Sequence, residues 1–192
     1  MIKVIDNFLT KSYHKELLDL MNSPDFSWYY EANITTYKLG DNPKNLKNKL
    51  NNFGFSHIFW DHNGMRDSNV AFLWKAGLYQ IMDAINSNVI LRSRGDMTMY
   101  TPKEKIHDPH VDFYFKNYST IFYVNNSDGD TIYYNQRLLD KDNPIPHNLE
   151  IVDRVSPKAN RVVIFEGDVI HTGCSPNKHT NRIIINSNFG VQ

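Results

Sequence analysis

The stretch His107-Asp108-Pro109-His110-Val111-Asp112-Phe113-Tyr114 constrains this chain more than any other. Its apolar and aromatic residues have strand character, and in an extended strand residues i and i+2 point to the same face. His110 and Asp112 are therefore expected to present an imidazole and a carboxylate side by side. Two histidines and one carboxylate on one face hold a non-haem Fe(II) and leave coordination positions open. This stretch supplies two of the three.

A partner for the pair lies downstream. Residues 161–165 read as a buried-type strand, Glu166-Gly167-Asp168 as a turn, and residues 169–173 as a second short strand. Such a hairpin can carry His171 back across a barrel to face the pair. Arg182, eleven residues later, opens the run Ile183-Ile184-Ile185. By strand alternation Arg182 shares a face with Ile184 and Asn186. A buried anion is costly unless paired, and a guanidinium fork pairs a carboxylate bidentately without losing its charge. A lone His-x-Asp occurs by chance in many chains. Metal chemistry is indicated because the hairpin histidine and the strand arginine agree with it.

Residues 89–190 resemble the double-stranded β-helix core of 2-oxoglutarate/Fe(II)-dependent oxygenases, specifically the prolyl-hydroxylase-like branch. The overall look is similar to small oxygenases encoded by marine bacteriophages. The resemblance implies a mainly β fold with flanking helices, built on a jelly-roll or cupin-like barrel. It implies Fe(II) held by His110, Asp112 and His171, with 2-oxoglutarate and O2 as co-substrates. Hydroxylation of an unactivated C–H would follow, with succinate and CO2 as co-products. Tyr100 lies ten residues before His110, and Tyr123 lies in the strand after the His-x-Asp. They match tyrosines that line the 2-oxoglutarate pocket of oxygen-sensing prolyl hydroxylases, the second bonding the distal carboxylate. Peptidyl-proline is the first substrate class suggested, with a free amino acid as the alternative.

Asn188 departs from these patterns. It stands six residues after Arg182, where nucleobase demethylases carry a second arginine and near where oxygen-sensing prolyl hydroxylases place a tryptophan. A base substrate is thereby disfavoured, and a peptidyl-proline substrate loses support. Three rivals remain open. A cupin-like metal protein usually shows His-x-His followed by Glu, which is not the pattern here. A zinc hydrolase accepts the same ligands but leaves Arg182 and the two tyrosines without a task. A metal-binding jelly-roll module without turnover keeps the triad but gives it no chemistry.

The 192 residues suit one domain, with residues 1–88 as helices and strands packed on a barrel of residues 89–190. A formal net charge of zero gives no footprint for a nucleic-acid partner. A peptide, protein or small-molecule substrate is expected instead. The single cysteine, Cys174, excludes an intramolecular disulfide and fits a reducing compartment. No run approaches a membrane span and the N-terminus lacks a signal-peptide pattern. A cytoplasmic protein with no membrane partner is expected (in the host cytoplasm if phage-encoded).

The remaining elements frame the barrel. Residues 2–8 read as a strand, and Thr10 as the N-cap of a helix over 11–21. Residues 26–30 are strand-like, 38–52 a polar loop or weak helix, and 53–60 a strand. Ser68 opens the best helix, with Val70, Leu73, Trp74, Leu78, Ile81, Met82 and Ile85 at helical spacing. It is expected to cover the barrel's outer sheet, with Trp74 in the core. Within the first barrel strand, 89–100, Arg92 and Arg94 share a face, either as solvated charges or at the substrate mouth. Residues 120–125 and 131–134 are further strands, and 138–150 a proline-marked loop. His107 is expected to support the site rather than bind metal, and the other histidines to be ordinary.

Overall fold

The computed structural model describes residues 2–32, 34, 53–66, 68–143 and 145–191. Strand β1 (Ile2–Asp6) leads to helix α1 (Lys11–Met21), then β2 (Tyr29–Glu31), β3 (Gly54–Asp61), β4 (Gly64–Met65) and helix α2 (Asn69–Ile85). Eight strands follow: β5 (Ile90–Met99), β6 (Lys105–Ile106), β7 (Asn117–Tyr123), β8 (Thr131–Arg137), β9 (Ile151–Val155), β10 (Arg161–Glu166), β11 (Val169–Ser175) and β12 (Asn181–Gly190).

These strands form two antiparallel sheets. The larger has the order β1-β10-β7-β12-β5-β3-β2, with β4 on β3, and the smaller the order β6-β11-β8-β9. From β5 onward the chain winds between them: β5 and β7 lie in the large sheet with β6 between them in the small one. Strands β8 and β9 are in the small sheet, β10 in the large, β11 in the small and β12 in the large. That winding is the double-stranded β-helix.

Strands β7, β10 and β12 each carry an apolar run (residues 121–123, 162–165 and 183–185) because both of their faces are covered there. On the outer face Phe122, Val162, Ile164, Ile183 and Ile185 join Leu17, Met21, Trp74, Leu78 and Ile81 in one core. On the inner face Ile121, Tyr123, Val163, Phe165 and Ile184 meet Tyr133, Val155 and Val169 of the small sheet. Each such side chain, fully buried, contributes about 1.5–3 kcal/mol. Helix α2 begins as its sequence suggests, with the Ser68 hydroxyl accepting from Ala71 N at 3.0 Å. It ends at Asn86, whose positive φ of 51° allows its N–H to reach Met82 O. Trp74 is fully buried and donates through Nε1 to Ser93 Oγ at 3.0 Å. Thr10 holds the N-cap position of α1 but makes no side-chain capping bond.

Several expectations change. Strand β1 stops at Asp6 because Asn7, at φ 52°, turns the chain toward α1. The strand in 26–30 shrinks to Tyr29–Glu31. Strand β9 had no signal in the sequence. It is the edge of the small sheet and exposed at four of its five positions, so no apolar alternation marks it. The reading of residues 38–52 falls outside the described residues. Residues 161–173 are not a hairpin, since β10 pairs with β1 and β7, and β11 with β6 and β8. The turn at Gly167-Asp168 instead carries the chain from one sheet to the other.

Candidate active site

The first ligand pair sits on irregular backbone, not on a strand. Pro109 has no N–H for a ladder, and the segment makes a single bridge. His110 N donates to His171 O at 2.9 Å and His171 N to His110 O at 3.0 Å. That bridge, rather than strand alternation, sets His110 against His171 of β11. One nitrogen of each histidine and one oxygen of Asp112 lie within 4.8 Å of one another.

Each side chain is held from behind. His110 Nδ1 is 3.0 Å from Asp108 O, and His171 Nδ1 is 3.0 Å from Val169 O. A carbonyl can only accept, so Nδ1 carries the proton and Nε2 is left as the ligand atom, the usual way a protein orients a metal-binding imidazole. Burial, then His110, pushes the His171 pKa down to about 4 against the pull of Asp112. His171 is therefore the neutral imidazole that ligation requires. Asp112 Oδ1 accepts from Arg92 Nη2 at 2.8 Å. Its Oδ2 accepts from Asn188 at 2.9 Å, Asn186 at 3.1 Å and Ser119 Oγ at 3.4 Å. Burial alone would raise its pKa. Arg92, the two imidazoles and Asn188 outweigh that and keep it ionised, far below the usual carboxylate range.

A cavity of about 310 Å³ runs from this triad to Arg182. Arg182 is 3 % exposed, and its Nη2 donates to Thr131 Oγ1 at 2.8 Å. Its Nε is buried without a partner among the described residues. The Tyr123 hydroxyl lies 2.7 Å from the same Thr131 oxygen, and the guanidinium sits over the Tyr123 ring, 5.5 Å from its centre. The fully buried Tyr133 hydroxyl also has no described partner, and burial keeps it protonated. Gly129 and Gly173 leave room for the arginine: added Cβ atoms would stand 3.0 Å from Arg182 Cδ and 3.4 Å from its Nη1.

The structure thus gathers His110, Asp112, His171 and Arg182 around one cavity, with Tyr123 beneath the arginine. Tyr100 is not brought in. It follows the end of β5 and is 54 % exposed, whereas Tyr123 and Tyr133, which do not line the cavity either, are fully buried against Arg182 and His171. Arg92 and Arg94 both line the cavity. His107 lines it too, outside the triad, with Nε2 2.9 Å from Ser175 Oγ. Burial, then Lys105 and Arg182, lowers its pKa to about 3. The sequence reading missed Thr131, Tyr133 and the roles of Ser119, Asn186 and Asn188 as donors to Asp112. Their only signal is alternation on β7, β8 and β12, which carries no meaning until the sheet order is known.

A family model, the 2OG-Fe(II) oxygenase superfamily, matches residues 95–190. The chain belongs to that superfamily. Comparison with curated proteins finds no match. Among solved structures, a Pseudomonas putida prolyl-4-hydroxylase superposes with a TM-score of 0.59 at 12% identity, over 99% of this chain and 92% of that one. A Trichoplax adhaerens prolyl hydroxylase, in complex with a hypoxia inducible factor peptide, gives 0.58 at 15% identity, over 98% and 82%. The epimerase SnoN from nogalamycin biosynthesis, in complex with Fe3+ and alpha ketoglutarate, gives 0.61 at 11% identity, over 98% and 78%. These likenesses establish the fold of the oxygenase.

Fe(II) and 2-oxoglutarate are the metal and co-substrate of this superfamily, with O2 consumed alongside. The residues present fit them. Two imidazoles, each with Nδ1 turned to a backbone carbonyl, and an ionised carboxylate are a donor set for Fe(II). A buried guanidinium with an orphaned N–H and no described carboxylate in ion-pair range suits a dicarboxylate. No helix among the described residues is long and apolar enough to cross a membrane.

Proposed function

We propose that this oxygenase hydroxylates an unactivated C–H bond, consuming 2-oxoglutarate and O2 and releasing succinate and CO2. His110, Asp112 and His171 would hold Fe(II). Arg182, with Thr131, Tyr123 and Tyr133, would seat the distal carboxylate of 2-oxoglutarate. A prolyl residue is the leading substrate, by analogy with the prolyl hydroxylases of similar fold. A peptide or small molecule is favoured over nucleic acid because the chain is neutral and Asn188 replaces the second arginine of base demethylases. A cytoplasmic setting is consistent with Cys174 being a lone, buried thiol.

One observation carries the reading: a three-ligand cluster and an anion-seeking buried arginine share one cavity. When bound, Fe(II) supplies the oxygen-activating redox chemistry, and one oxygen atom of O2 goes to succinate and the other to the hydroxyl product. The protein's own part is to orient and exclude. The backbone carbonyls of Asp108 and Val169 fix both imidazoles. Arg92 and the two asparagines keep Asp112 ionised and turned into the cavity. Tyr133 and Phe165 shield His171, with ring centres 6.3 and 4.8 Å away. The test is succinate formation by iron-loaded protein, with Asp112→Ala as background. Succinate above that background supports the reading. None, with iron loading verified, points to a metal-binding module without turnover.

A further inference from the structure

One set of charges in the cavity has no task in holding metal or co-substrate. Arg94 lines the cavity from β5, where it pairs across the sheet with Asn186 of β12. Its Nε lies 2.8 Å from Asp96 Oδ1. That contact is an ion pair made through Nε alone. No described residue accepts from its Nη groups. Glu31 lines the same cavity, with Oε1 accepting from Ser56 Oγ at 2.9 Å.

The charges balance in a telling way. Arg92, Arg94 and Arg182 face Glu31, Asp96 and Asp112 in the cavity lining. Fe(II) and doubly ionised 2-oxoglutarate would cancel one another. The loaded cavity is then near neutral, with Arg94 paired to Asp96 through Nε only and Glu31 bonded to the neutral Ser56 hydroxyl. An internal peptide residue brings no charge to either. Asp96 meets the Arg94 charge at Nε, and the outer Nη groups, which have no described acceptor, are free to take a second anion.

We propose that Arg94 receives a carboxylate of the substrate, so that the oxidised residue is one carrying its own free carboxylate: a free amino acid or the last residue of a peptide. This rests on the hydroxylase reading and narrows its substrate. The planar fork suits a carboxylate bidentately. Its cross-strand neighbour Asn186 donates to the metal-ligand carboxylate of Asp112, so a group held by Arg94 lies next to the triad. A free amino acid would place its ammonium on Glu31, whereas a C-terminal residue would leave Glu31 unused.

The test is calorimetry on protein loaded with Mn(II) and 2-oxoglutarate, which binds without turning over. The probes are the twenty L-amino acids and their amides, a peptide ending in proline, its amidated form, and a peptide with internal proline. At least one carboxylate probe should bind about tenfold or more tighter than its amide, the usual scale for a desolvated charge contact. Arg94→Ala should erase that preference, and Arg94→Lys should keep part of it. Arg94→Gln replaces the alanine variant if that one does not fold. Glu31→Gln should weaken a free amino acid and not a C-terminal peptide, which separates the two sources. The proposal falls if no carboxylate probe binds, if an amide binds as well as its acid, or if the preference survives in Arg94→Ala. Carboxylate-selective binding with no succinate under Fe(II) and O2 would keep the carboxylate seat at Arg94 and sink the hydroxylase reading instead.

Discussion

The two ends of the cavity are built on opposite plans. At the triad, both Asp112 oxygens accept hydrogen bonds and both imidazoles are fixed through Nδ1. The atoms unmatched there among the described residues, Arg92 Nε and the Asn186 and Asn188 Oδ1 oxygens, belong to the residues behind the ligands and not to the ligands themselves. At the other end, Arg182 Nε and the Tyr133 hydroxyl are buried and unmatched among the described residues. A cation site can be preorganised with its ligands fully supported, because the ion adds charge without needing new donors. An anion site must keep donors in reserve, and reserve donors in a dry pocket cost stability until the ligand arrives. The triad end is thus expected to look much the same with or without its ion. The arginine end should stiffen and gain stability only when a carboxylate enters.

The largest effects should come from removing ligands. His171→Ala or Asp112→Ala should abolish stoichiometric binding of Fe(II) or Mn(II), measured by calorimetry, while circular dichroism shows the sheets intact. Unchanged stoichiometry and affinity in either variant would remove the triad assignment. Next comes Arg182→Ala. Losing a buried charge partner costs about 2–5 kcal/mol, so 2-oxoglutarate affinity should fall roughly 30-fold to several thousand-fold. Metal affinity should barely change. If both ligands weaken together, the two ends are not the separate devices described above.

Asn188→Ala probes the support of the triad rather than the triad itself. Outer-shell donors to metal ligands typically contribute about 10–100-fold in metal affinity. A loss of that size is expected from Asn188→Ala, with 2-oxoglutarate affinity at fixed metal saturation unchanged. Ser119 and Asn186 still donate to the same oxygen, which places the expected loss at the lower end. An affinity equal to wild type would mean that the remaining donors suffice.

How much of this was legible beforehand differs between the two ends for the same physical reason. His110, Asp112, His171 and Arg182 announce themselves by side-chain chemistry at strand-like spacing, so they could be named from one chain. Their spatial relation was reached by a partly wrong route. The His-x-Asp segment is a loop docked by one bridge, and the expected hairpin is a crossing between sheets. Asn186, Asn188, Ser119, Thr131 and Tyr133 carry no such mark. They matter because β12 lies between β5 and β7, and because β11 pairs with β8 to set His171 opposite Tyr133. That is long-range pairing, invisible to local pattern. Tyr100 is the converse case: the right residue type at a suggestive spacing, yet past the end of its strand and half in solvent.

The smallest effect separates the two plans because it should appear as weaker ligand binding and not as a loss of ligand-free stability. Tyr133→Phe removes one oxygen that is fully buried and unpartnered among the described residues. An unmatched buried hydroxyl costs about 1–3 kcal/mol, so its removal should leave the ligand-free protein equally stable or slightly more stable. The ring contacts with Phe165 and His171 survive, since the phenyl group keeps the same shape. With 2-oxoglutarate bound, the same hydroxyl gains an acceptor worth about 0.5–1.5 kcal/mol, or roughly two- to twelve-fold in affinity. Thermal melts should therefore show a smaller upward shift on saturation with 2-oxoglutarate in the variant than in wild type, starting from a ligand-free midpoint that is equal or slightly higher. A variant destabilised in both states would show that Tyr133 is bonded before the ligand arrives. The arginine end would then be as fully supported as the triad.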